Sequence, residues 1–161
     1  MSYVIAISNE KGGVAKTTTS LSLGAALAEK GYQVLLIDLD AQANLTLALG
    51  LEPGGAALTS SDVLLENVPI ENVWQKSEIS GLDIVPSGKK MERAEQLLPI
   101  HLSYGTRLAD SIFASQPTKY DFVVIDCPPA LGAVTLNALN AANLLIIPTQ
   151  AEYFSAYALR N

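Results

Sequence analysis

Residues 11–18, Lys11-Gly12-Gly13-Val14-Ala15-Lys16-Thr17-Thr18, decide the fold because they join two segments of different periodicity. Before them, Tyr3 to Ser8 (YVIAIS) is a short β-branched apolar run that reads as a strand. After them, Lys16 to Lys30 is rich in Ala and Leu and stops at Gly31, a good helix C-cap. A strand, a glycine-rich loop and a helix in that order make an anion-binding turn. Glycines let the backbone curl until successive N–H groups point inward. The helix start adds its positive end. In such a loop Lys16 can reach terminal phosphates as a cation, and the Thr17 hydroxyl is placed to ligate Mg²⁺.

Outward from the loop, strand and helix patterns alternate. Gln33 to Asp38 (QVLLID) reads as a second strand and Ala41 to Leu49 as a short helix closed by Gly50. Leu51 to Gly81 carries a weaker signal, with one helix near Ser60 to Leu65. Leu82 to Pro86 predicts a third strand, and Lys89 to Leu98 and His101 to Gln116 predict helices broken by Pro99. Tyr120 to Asp126 (YDFVVID) is a fourth strand, about Leu131 to Ala142 a helix, and Leu144 to Pro148 a fifth strand. Strands separated by helices pair in parallel through right-handed crossovers. The predicted fold is therefore α/β, a three-layer α/β/α sandwich with a mostly parallel sheet. Ligands of such sheets bind beyond the carboxyl ends of the strands. Three predicted strands end there in polar or acidic residues, at Ser8, Asp38 and Asp126.

Composition narrows the function classes. The chain has 161 residues, 49% hydrophobic and 16% charged, which excludes disorder and suits a sheet covered on both faces. Ten Lys and Arg against sixteen Asp and Glu give a net charge of −6, which argues against a DNA surface on this stretch alone. The single cysteine, Cys127, cannot form an internal disulfide or a structural zinc site, and packing is its expected role. No apolar run approaches the roughly 18 residues of a membrane helix, so a soluble, cytoplasmic protein is expected. Lys89, Lys90 and Arg93 read as a solvated helix face, His101 as a surface or capping residue, and Trp74 as core.

Two acidic features complete the candidate site. Asp38 and Asp40 flank Leu39, and period two places both on one side of an extended chain. Taken alone, Asp40 reads as a cap for the following helix. Beside a phosphate loop, it also reads as the group that orients or deprotonates a water nucleophile. Phe122-Val123-Val124-Ile125-Asp126 is four apolar residues and an acid, a pattern that sets a carboxylate beside Mg²⁺.

The ordinary loop pattern G-x-x-x-x-G-K-[ST] would need glycines where Glu10 and Ala15 stand. The pattern K-G-G-x-x-K-[ST]-T matches instead and resembles the deviant Walker A motif of the ParA and MinD family of P-loop ATPases. Asp38 to Asn44 (DLDAQAN) is similar to the D-L-D-P-Q-G-N of the partition ATPases. Ile125 to Leu139 resembles their switch segment and following helix, and Pro148 to Leu159 their next strand end and helix. Nitrogenase iron proteins share the loop but hold a cluster with two cysteines per subunit, which one cysteine excludes. Metabolic ligases such as dethiobiotin synthetase generally lack the signature lysine, so Lys11 favours the partition branch over them. The MinD branch differs after the acids and ends in an amphipathic membrane helix.

The resemblance implies a slow Mg²⁺-dependent ATPase that partitions plasmid, chromosome or other cargo. Residues 11–18 (Lys11, Gly12, Gly13, Val14, Ala15, Lys16, Thr17 and Thr18) would bind ATP. Lys11, Lys16 and Asp40 would act in catalysis, with Asp40 serving the attacking water. Thr17, Asp38 and Asp126 would form the magnesium shell. It further implies a homodimer with ATP at its interface, where Lys11 reaches the partner's nucleotide and Gly12 lets the two loops approach. A ParB-type adaptor would stimulate hydrolysis, and nonspecific DNA binding would use residues mostly beyond Asn161, at the nucleoid and without a membrane. The alternatives are a nucleotide-locked binding module with incidental hydrolysis and a MinD-like membrane-associated positioning ATPase. Residues 1–161 read as one such domain, continued at its C-terminus, because the amphipathic pattern from Glu152 to Asn161 has no Gly or Pro stop. Ala15 stands where the family usually has glycine. An alanine fits that turn only at negative φ, which is the expected conformation, with ATP binding intact and turnover at most tuned.

Overall fold

The computed structural model describes residues 2–114 and 119–150. The predicted helix from Glu152, with Tyr153, Phe154 and Tyr157, and the end of the predicted His101–Gln116 helix lie outside them. Six strands form one sheet in the order β3-β4-β2-β5-β1-β6. They are β1 (Tyr3–Ile7), β2 (Val34–Asp38), β3 (Gln75–Lys76), β4 (Leu82–Val85), β5 (Phe122–Asp126) and β6 (Leu144–Ile146). All pair in parallel except β3, a two-residue antiparallel edge strand against β4. β3 escapes a reading by hydrophobic pattern because Gln75 and Lys76 are polar.

Helices cover both faces, as expected for a three-layer sandwich. α1 (Lys16–Glu29) and α2 (Asn44–Ala48) lie on one face with Ile5, Ile7, Val34, Leu36 and Val124. α3 (Ser60–Glu66), α4 (Lys90–Leu97), α5 (Arg107–Ala114) and α6 (Ala133–Ala141) cover the other with Val4, Ala6, Leu35, Ile37, Val123 and Ile125. Alternate residues of each central strand thus serve opposite cores, which is why these strands read as unbroken apolar runs. Helix α2 starts at Asn44 rather than Ala41, because residues 41 and 42 form a turn first. Pro99 closes α4 into a short 3₁₀ turn, Leu98–Ile100. Among the described residues no helix is long and apolar enough to cross a membrane.

The strand order places β5 between β1 and β2. Asp126 is consequently in register with Ile7 on one side and Asp38 on the other. Two chain segments far apart in sequence thereby deliver their acids to adjacent strand ends, beside the loop that leaves β1.

Helix α1 reaches the sheet closely because Gly24 has no side chain. A Cβ there would stand 2.7 Å from Leu36 Cδ2 and 3.2 Å from Leu82 Cδ1. Gly24→Val should therefore overpack this contact and lower the unfolding free energy by about 1–3 kcal/mol, read from the urea midpoint at constant slope.

Candidate functional site

Asp126 forms the centre of the site. The residue is 1% exposed. The Thr17 hydroxyl donates to Oδ2 at 2.7 Å, and the Ser20 hydroxyl donates to Oδ1 at 2.8 Å. Thr17 and Ser20 are three residues apart on α1, so both face β5. Burial pushes the Asp126 carboxyl upward, the two hydroxyl donors work against that shift, Asp40 adds to it and Lys16 opposes it. Four expected site residues, Lys16, Thr17, Asp40 and Asp126, are thus brought together.

Lys16 is buried for a lysine, at 8% exposed. Its ammonium folds back over the loop and donates to the Lys11 carbonyl at 3.1 Å. The loop is braced from outside as well. Asn9 Oδ1 accepts the Lys11 N–H at 2.9 Å while Asn9 Nδ2 donates to the Pro148 carbonyl at 2.8 Å. Gln150 donates to the Gly13 carbonyl at 3.1 Å and accepts from Lys11 Nζ at 3.4 Å. Val14 is buried, whereas Gly12, Gly13, Ala15 and Thr18 are exposed at the loop and the start of α1.

Asp38 is fully buried, and its carboxylate accepts three hydrogen bonds. These come from the Thr46 amide at 2.9 Å, the Thr46 hydroxyl at 2.7 Å and the Asp40 amide at 3.0 Å. The Thr46 hydroxyl in turn accepts the Ser87 N–H at 3.0 Å, and Ser60 donates to the Asp38 carbonyl at 2.7 Å. Burial raises the Asp38 carboxyl to about 7 against those donors, with Asp126 adding to the rise. Asp38 pins the turn after β2. Asp40, half-buried beyond it, accepts the Gln42 N–H at 2.9 Å in a local turn rather than capping α2.

Ala15 departs from the expected negative φ. It lies at φ 65°, ψ 30°, in the left-handed region, immediately before α1. The loop must reverse direction to feed α1 over β5, and Gly13 at φ 74° supplies only part of that turn. Tertiary closure therefore overrides the local preference of alanine. Ala43, where the partition pattern also has glycine, adopts φ 52° before α2.

Cys127 is buried and its thiol is pushed up to about 12, chiefly by burial, so packing is its role. Lys89 and Arg93 are exposed, Lys90 pairs with Asp62 at 3.5 Å, and His101 is exposed. Trp74 is partly buried against the core, edge-on to Tyr120. Sequence reading missed Ser20, Thr46, Ser87 and Gln150. Only Ser20 carried a signal, its three-residue spacing from Thr17 on one helix.

A family profile described as an AAA domain matches residues 2–161. The chain is 40% identical over 159 residues to the sporulation initiation inhibitor protein Soj of Bacillus subtilis, covering 99% of this chain and 62% of that protein. It is 40% identical over 157 residues to the chromosome partitioning protein ParA of Caulobacter vibrioides, covering 97% and 59%. It thus spans about three fifths of the length of these curated relatives. A solved structure of cobyrinic acid a,c-diamide synthase from Mycobacterium smegmatis, with bound ATP analogue and magnesium, superposes with a TM-score of 0.91. That pair is 38% identical, covering 99% of this chain and 66% of the other.

Because Ala15 is exposed and left-handed, Ala15→Gly should raise stability by about 1 kcal/mol. At negative φ the same change would lower it, so the sign of the shift in the urea midpoint tests the conformation directly. The loop, its acids, the sheet order and the profile agree: the chain belongs to the AAA domain family, in the ParA/MinD group of deviant P-loop proteins.

Proposed function

We propose that this chain is the nucleotide-binding part of a Mg-ATP-dependent, dimerising ATPase of the ParA type. Such a protein drives DNA partition or cargo positioning through ATP-controlled dimerisation and nonspecific DNA binding. One observation carries the proposal. The buried Asp126 carboxylate meets the Thr17 hydroxyl at 2.7 Å at the foot of the glycine loop, and Lys16 and Asp40 act electrostatically on it. A pure nucleotide binder has no need of the second acid.

Thr17 and Asp126 present adjacent hard oxygen donors, the kind magnesium prefers, and these residues would hold it. Bound there, the ion would offset charge on the phosphates. Asp38 would support that shell through the turn it pins, since its own oxygens are taken by Thr46 and Asp40. Lys16 would neutralise the terminal phosphates, residues 11–18 would cradle them, and Asp40 would orient the attacking water. Gly12 has open space where a Cβ would stand, and its φ is not left-handed. Nothing among the described residues demands glycine there, which supports close approach by a phosphate or a second loop. Lys11 would then leave Gln150 and reach the partner's nucleotide. A ParB-type adaptor, DNA bound mostly through residues outside this stretch, and a nucleoid-associated cytoplasmic location complete the proposal.

ATP turnover of the whole protein, with and without DNA and adaptor, tests it. Asp40→Ala should retain ATP binding and lose turnover by at least about 100-fold, the scale of a lost general base. Equal rates for wild type and Asp40→Ala would overturn its role. Lys11→Ala should bind ATP as a monomer and fail to dimerise, so an ATP-dependent dimer of normal size on gel filtration would refute the cross-subunit contact. The diamide synthase named above suggests a second reading. It predicts turnover that rises with cobyrinic acid rather than with DNA.

A further inference from the structure

Helix α6 follows directly from the segment that leaves Asp126, and its first turn is capped from another helix. Its N-cap residue, Gly132, has no side chain to offer. Glu95, on α4, supplies the acceptors instead. Its Oε1 accepts the Ala133 N–H at 2.7 Å, and its Oε2 accepts the Val134 N–H at 3.0 Å. A carboxylate here satisfies two of the orphan donors of the helix and meets its positive end. Gly132 is extended, at φ −101° and ψ −162°, a conformation open to any residue. Space, not conformation, demands glycine at this position. A Cβ on residue 132 would fall on the Glu95 carboxylate.

The segment from Cys127 to Gly132 is held at its two ends and at Ala130, and its middle is exposed. At the start, the Cys127 N–H donates to the Ile7 carbonyl at 3.1 Å, and the Asp126 carbonyl accepts the Leu39 N–H at 3.0 Å. At the end stands the Glu95 clamp, with the Thr135 hydroxyl donating to the Ala130 carbonyl at 2.6 Å. In between, Pro129, Ala130 and Leu131 are exposed, Leu131 at 64%. The rest of α6 is fastened separately. Asn137 accepts the Leu108 N–H at 3.2 Å, and Asn140 donates to the Gly105 carbonyl at 2.8 Å. Loss of the Glu95 clamp would therefore loosen the first turn of α6 and leave the Thr135–Ala130 bond alone to hold the exposed segment at that end, with the body of the helix in place.

We infer that Glu95 is a positioning residue for the nucleotide site. It acts through the first turn of α6 on the 127–132 segment and thereby on the end of β5 that carries Asp126. This rests on the ATPase reading above. Glu95 spends its carboxylate on the Ala133 and Val134 amides, outside the loop of residues 11–18, so loss of the clamp falls on turnover rather than on ATP binding.

The test compares Glu95→Ala, Gly132→Ala and the double variant in the full-length protein, measuring kcat, KM for ATP and thermal midpoint. Glu95→Ala should lower kcat by about 3- to 30-fold with KM within about twofold of wild type, the range of coupling through packed elements. Gly132→Ala should do the same by expelling the carboxylate. The double variant should match the single ones instead of multiplying them, since both remove one clamp. A lowered midpoint with unchanged kcat in both single variants would make Glu95 merely structural and overturn the inference. Multiplying effects would overturn the shared clamp. Absence of turnover in the wild type would overturn the ATPase reading, and this inference with it.

Discussion

A buried carboxylate between two hydroxyls organises this molecule. Asp126 lies at the end of the central strand β5, out of water, where an unpaired charge would be costly. Thr17 and Ser20 meet that demand from the first turns of α1. The same two bonds set the start of α1, and hence the glycine loop and Lys16, against the acidic strand end. Asp38 repeats the arrangement one strand away, with Thr46 in the role of donor. Asp126 adds to the rise at Asp38, Asp40 adds to the rise at Asp126, and Lys16 is the cation that opposes the latter. A site built in this way favours incoming positive charge.

Backbone conformation around the mouth follows from that placement. Both helices on this face are entered through an alanine in the left-handed region, Ala15 before α1 and Ala43 before α2. Each costs about 1–2 kcal/mol relative to a relaxed alanine. The cost is tolerated because the strand ends and the hydroxyl bonds leave the chain no other route into the helices. Strain of this sort gathers at sites whose geometry the surroundings over-determine.

On the opposite face, polar pins rather than apolar packing alone set the position of α6. Glu95, Asn137 and Asn140 join it to three neighbouring segments. Polar bonds of this type are directional, so they define one register where apolar contacts would permit several. A further polar cluster lies where β3, β4 and β5 begin or end. There Lys119 pairs with Asp83 at 2.7 Å and lies 3.4 Å from the Trp74 ring centre, and Tyr120 donates to Asp83 at 2.9 Å.

The sequence by itself determined the fold class, most element positions and the place of the glycine loop between β1 and α1. Those signals are local: the apolar periods of β1 and α1, the glycines between them, and an acid after four apolar residues in β5. It also placed Cys127 and Trp74 correctly as packing residues. Tertiary structure alone decided the rest. β5 enters between β1 and β2, a non-local pairing that brings Asp126 beside Asp38 and the loop. Thr46, Ser87 and Glu95 acquire roles only because distant segments meet, and no spacing in the chain encodes their partners. Ala15 is the sharpest case. Local sterics favour negative φ for an alanine, yet closing the loop onto a buried carboxylate holds it at 65°.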